Sequence, residues 1–208
     1  MEGMLRTGLL TLTIASAVAP LALWPQGVVV PQTPSKAPVP AQRVLPNKGV
    51  VESGTYKNAS IGLEFTPASS LRLQEPEMKG TPDATQFLIT VRAVAGPGSF
   101  FGFFSDRSIT VFYAEALAYY PEDRRGASNY VQRVIRAQQA DGFRHVGMVT
   151  PAQLSQTPFL RANFEKGRSL EAVFVTTHNG YAFVFIFGAL DAGVTDKLIA
   201  STKIRVTN

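Results

Sequence analysis

From about Thr55 to Val206 the pattern of apolar and polar residues reads as a run of strands interrupted by two helices. Tyr56, Ile61, Leu63 and Phe65 alternate across Asn58-Ala59-Ser60, which predicts an opening hairpin that Pro67 ends. Phe87 to Val94 is rich in β-formers and predicts a central strand, with Ser108 to Tyr113 as the next. Between Gly126 and Gly142 the apolar residues Tyr130, Val131, Val134 and Ile135 recur at helical spacing. Ser128 is the expected N-cap of that helix and Gly142 its stop. Strands are expected near residues 143–149 and 159–164. The strongest β pattern follows, at residues 170–177 and 181–187, joined by His178-Asn179-Gly180, whose Asn-Gly pair suits a turn of positive φ. Thr195 to Ser201 predicts a closing helix capped by Asp191 or Thr195, and Lys203 to Val206 a short, charged edge strand.

Ala182, Val184 and Ile186 alternate with Tyr181, Phe183, Phe185 and Phe187, so the last long strand is apolar on both faces and needs cover on both. With two helices available, the expected architecture is α+β, an antiparallel sheet flanked by helices on both faces. The chain shows no fixed-period repeat that would indicate a solenoid or propeller.

The first 46 residues follow a different pattern. Leu9 to Trp24 carries no charge, and Ala15-Ser16-Ala17 offers the small-x-small pattern that a signal peptidase reads. Pro31, Pro34, Pro38, Pro40 and Pro46 then favour an extended spacer over a packed element. The expected organisation is a signal peptide or N-terminal membrane anchor over residues 1–30, a proline-rich linker over 31–47, and one domain over 48–208. This places the domain outside the cytoplasm, periplasmic or extracellular, and tethered if the leader is not cleaved. A buried core helix is the alternative reading of the apolar run.

Composition narrows the chemistry. The chain has no cysteine, which excludes disulfides, thiol catalysis, thiolate metal sites and a lipid-bearing cysteine. Of its 20 basic and 15 acidic residues, Arg6, Lys36, Arg43 and Glu2 precede residue 47. The remaining 17 and 14 leave a net charge of +3, too small for nucleic acid to be a natural partner.

The opening Tyr56-Lys57-Asn58 with Ile61-Gly62-Leu63-Glu64-Phe65 and Pro67, the Asn179-Gly180-Tyr181 turn running into Phe183-Val184-Phe185, and the closing Asp196-Lys197-Leu198 with Ser201 and Ile204 together resemble the PsbP-like family. The resemblance spans roughly residues 54–206. It implies an α/β/α sandwich and a non-enzymatic accessory or interaction domain.

No residue set points to a reaction. Pairing His178 with Ser105 and with Asp106 or Asp191 would give a nucleophilic triad, but no Gly-x-Ser-x-Gly elbow frames any serine. His145 and His178 lack metal-ligand spacing, so no catalytic, cofactor or metal residues are assigned and no cofactor is expected.

Two segments are candidate contact surfaces. Gly96 to Phe104 places Phe100, Phe101, Phe103 and Phe104 among flexible glycines. The rings read either as a plug for one end of the fold or as an aromatic contact loop. Arg124, Arg125, Arg133 and Arg136, with Arg144 just beyond, make the helix region basic. They read either as a solvated face diluted by Glu122, Asp123 and Asp141, or as a docking surface for anionic lipid headgroups or an acidic partner.

The functional expectation is an exported, non-enzymatic accessory or protein-interaction domain of the cell envelope, with another envelope protein or a membrane surface as partner. The alternative is a binder of a small apolar ligand or lipid through the loop 98–104.

Overall fold

Asn179 and Gly180 both adopt positive φ, 47° and 81°, and the hairpin they close is the middle of the molecule. In the computed structural model, which describes residues 47–80, 87–95 and 108–207, this hairpin joins β10 (Ser169–His178) to β11 (Tyr181–Ala189). The other strands are β1 (Val50–Glu52), β2 (Thr55–Asn58), β3 (Leu63–Thr66), β4 (Leu71–Leu73), β5 (Glu77–Gly80), β6 (Phe87–Ala95), β7 (Ile109–Ala116), β8 (Arg144–Leu154), β9 (Thr157–Lys166) and β12 (Lys203–Val206). Two helices accompany them, α1 (Ala127–Ala140) and α2 (Ala192–Ser201).

The strands form two antiparallel sheets. One has eight strands in the order β4-β6-β7-β11-β10-β9-β8, with β5 also paired to β6, and the other has four in the order β1-β2-β3-β12. Adjacent strands align Val91 with Phe112, Phe112 with Phe185 and Phe185 with Phe174, so one face of the large sheet carries a row of buried rings. Tyr56, Leu63, Phe65 and Ile204 of the small sheet pack on this row, and Leu198 of α2 joins the same cluster. On the opposite face, Val173, Val175, Ala182 and Val184 meet Tyr130, Val131, Val134 and Ile135 of α1.

The expected helix-flanked α/β/α sandwich is therefore corrected. β11 is covered on both faces, as its apolar pattern requires, but on one face the cover is chiefly a second sheet. The reason lies in the opening hairpin and the C-terminal strand. Each presents its apolar residues on one side, and β12 pairs with β3 through Ile204 opposite Phe65, so together they form a half-apolar sheet that buries itself on the phenylalanine row.

Local stop and start signals mostly act as expected. The Asp191 side chain accepts from the Val194 amide at 3.1 Å and caps α2, and Gly142 follows α1 with φ of 86°. Ser128 does not cap α1. Gly126 occupies that position without a side-chain bond, and a short 3₁₀ turn at Glu122–Arg124 precedes it.

Candidate functional site

The amphipathic pattern of α1 turns Tyr130 inward and leaves Asn129, Gln132, Arg133 and Arg136 on the exposed side. The chain enters the helix through Tyr120 and the turn at Glu122–Arg124, so Tyr120 and Arg124 stand beside that exposed stripe. Together Tyr120, Arg124, Asn129, Tyr130, Gln132, Arg133 and Arg136 line a groove of about 470 Å³. Two smaller grooves, of about 200 and 270 Å³, flank α2 and have mixed linings.

The groove rests on an anchored carboxylate. Glu115, on the α1 side of β7, accepts from the Tyr120 hydroxyl at 2.8 Å, from the Tyr130 hydroxyl, and from Arg133 Nη1 at 3.2 Å. The Arg133 guanidinium lies 4.7 Å from the Tyr120 ring centre and 5.6 Å from that of Tyr130. Burial pushes the Tyr130 and Tyr113 hydroxyls well above the usual tyrosine range, and the nearby Glu115 charge adds to both shifts. Both tyrosines stay neutral, and among the described residues Arg133 is the cation paired with Glu115.

The four arginines singled out from the sequence divide into two groups. Arg124, Arg133 and Arg136 share the groove, whereas Arg125 is tied elsewhere, donating to the Tyr120 carbonyl at 2.8 Å with Glu122 3.7 Å away. Among the described residues Arg124 and Arg136 meet no carboxylate, while Arg144, Arg161 and Arg205 each have one. The sequence does not mark Tyr120, Glu115 and Tyr130 as site residues. Their spacing, 5 and 15 residues from the carboxylate they share, has no signature in a single sequence.

The other candidates do not assemble. Phe100, Phe101, Phe103 and Phe104 lie outside the described residues, as do Ser105, Asp106 and the leader. His178 bonds through Nε2 to the Thr207 carbonyl at 3.0 Å and packs against Phe183, tying the central hairpin to the C-terminal segment. Asp191 serves as a helix cap. His145 leans on Phe164 with a ring separation of 5.3 Å, and its buried Nε2 has no hydrogen-bond partner among the described residues. Among the described residues no group of three or more acidic or histidine side chains is arranged to hold a metal ion.

Glu171 is a second buried polar feature missed from the sequence. It sits on the α1 face opposite Gly188, with Oε2 buried and unbonded among the described residues. Burial raises its pKa above the ordinary carboxylate value; a hydrogen bond from Gln138 opposes the shift and the Asp141 charge adds to it. A raised folded-state pKa means that the protonated carboxyl favours folding and that this contribution fades as pH rises through the folded value. Glu171→Gln should therefore raise the urea midpoint at pH 7, and the gain should vanish below about pH 4, where the native carboxyl is protonated in both states. A gain that persists unchanged at low pH would mean that charge burial is not its cause.

No family model and no curated protein matches the chain. Its fold is similar to the solution structure of cyanobacterial PsbP (CyanoP) from Synechocystis sp. PCC 6803, at 12% identity and a TM-score of 0.45, covering 76% of this chain and 96% of that one. The resemblance read from the residues is to the same family as this solved structure. No described helix is long and apolar enough to cross a membrane.

Proposed function

We propose that this protein is an exported, non-enzymatic accessory domain of the cell envelope that docks another envelope protein through the exposed stripe of α1. The observation that carries the reading is that Arg124 and Arg136 line one groove with Arg133 and meet no carboxylate among the described residues. Unpaired cations gathered in a concavity attract an acidic surface and orient it. The uncharged leader and proline-rich spacer support export, and the scattered histidines support a role without catalysis.

The test is a photo-reactive residue placed at Gln132 in the full chain, in cells that carry the protein, with Arg168 in the exposed β9–β10 turn as the control position. A discrete protein adduct is expected at 132 only, from protein fractionating outside the cytoplasm. The adduct should disappear when Arg124 and Arg136 are both changed to Glu. Equal adducts at both positions, or one insensitive to charge reversal, would refute the docking surface, and recovery of the protein in the cytosol would refute export.

A further inference from the structure

Among the described residues the Arg133 guanidinium is held on one edge. Its Nη1 faces both oxygens of Glu115, at 3.2 and 3.3 Å, and its plane is supported by the Tyr120 and Tyr130 rings. Its remaining edge, Nη2 with Nε, has no bonded partner among the described residues and belongs to a side chain that lines the groove. That edge has the fork geometry that meets a carboxylate through two parallel hydrogen bonds. Because the stack and Glu115 already fix the rotamer, little side-chain entropy is left to lose on binding.

Resting on the docking surface described above, we propose that Arg133 is the specificity-determining residue of the groove. Its free edge takes one side-chain carboxylate of an acidic peptide segment, while Arg124 and Arg136 supply the attraction that brings the segment in. Three guanidiniums and the Glu115 carboxylate leave the site with a net charge of +2, so it selects an anion. The stripe from Asn129 to Arg136 extends about 10 Å along α1 at 1.5 Å per residue, longer than a single small anion. Gln132, exposed between the cations, offers an amide to a peptide backbone. A membrane surface fits less well. Tyr130, Val131, Val134 and Ile135, the apolar side of α1, are buried in the domain and none is left to enter an acyl layer.

The experiment follows the fluorescence anisotropy of labelled hexaglutamate titrated with the full chain. Wild-type protein should bind and should weaken with added salt. Arg133→Lys, which keeps the charge and loses the fork, should weaken binding about tenfold or more, and Arg136→Lys by no more than about threefold. Tyr120→Leu, which removes the platform at constant charge, should also weaken binding, and it decides the matter if Arg133→Lys fails to fold. Equal effects of the two lysine substitutions, wild-type binding by Tyr120→Leu, or no binding of hexaglutamate would each overturn the proposal. So would binding to phosphatidylserine vesicles in place of the peptide. An adduct at Gln132 without hexaglutamate binding would leave the docking surface standing and remove the carboxylate fork. Hexaglutamate binding without that adduct would do the reverse.

Discussion

Truncating Phe185 to Ala is expected to lower stability by about 3 to 5 kcal/mol, a large part of the 5 to 15 kcal/mol that holds a typical domain together. Its ring is fully buried and lies 4.8 Å from Phe112 on the neighbouring strand and 5.3 Å from Phe65 on the small sheet. Phe159 adds a third contact at 5.9 Å. Removing it leaves a cavity at the seam between the two sheets, where neither sheet can move inward without breaking its own strand pairing. Equilibrium urea unfolding measures the effect. A loss below about 1 kcal/mol would show that this face is open and that the small sheet does not seal it.

Gly62→Ala is expected to cost about 2 to 4 kcal/mol although it adds a single methyl group. Gly62 has φ of 70°, a conformation that costs an L-residue roughly 1 to 2 kcal/mol. The new Cβ would also fall on the Thr207 carbonyl oxygen. That carbonyl is bonded to His178, and the Thr207 amide donates to the Gly62 carbonyl at 2.9 Å, so the collision disturbs both of these hydrogen bonds of Thr207. Gly54 is the comparison, because it has φ of 77° and open space around its Cβ position. Gly54→Ala should show the conformational cost alone. Equal urea midpoints for the two variants would mean that the C-terminal segment yields without loss.

Local chemistry made much of this fold legible. The Asn179-Gly180 turn, the helix pattern of Tyr130, Val131, Val134 and Ile135, and the Asp191 cap each depend on residues within one turn or one hairpin, so a single sequence contains the whole cause. The turn between β8 and β9 has no such signal. Ser155 and Gln156 take φ of 46° and 72° without a glycine or asparagine, and the reason is tertiary. Ser155 Oγ donates to the Thr202 carbonyl at 3.2 Å and accepts from the Ile204 amide at 3.0 Å, so the C-terminal strand holds the turn in place. The strand expected to stop near residue 149 continues to Leu154 because Thr150 to Leu154 pair with β9, past a register shift between Val146 and Thr150.

For the site, the sequence by itself determined that four arginines cluster around one amphipathic helix and that the helix turns its apolar side inward. Only the tertiary structure decided which of them act together. β7 brings Glu115 beneath Tyr120 and Tyr130 and so fixes Arg133, and the entry turn carries Arg124 into the groove while tying Arg125 to the Tyr120 carbonyl. The same division explains the architecture. A strand apolar on both faces requires cover on both, which its own residues state. Whether a helix or a sheet supplies that cover depends on β12 pairing with β3, a contact between segments about 140 residues apart in the chain that no local pattern encodes.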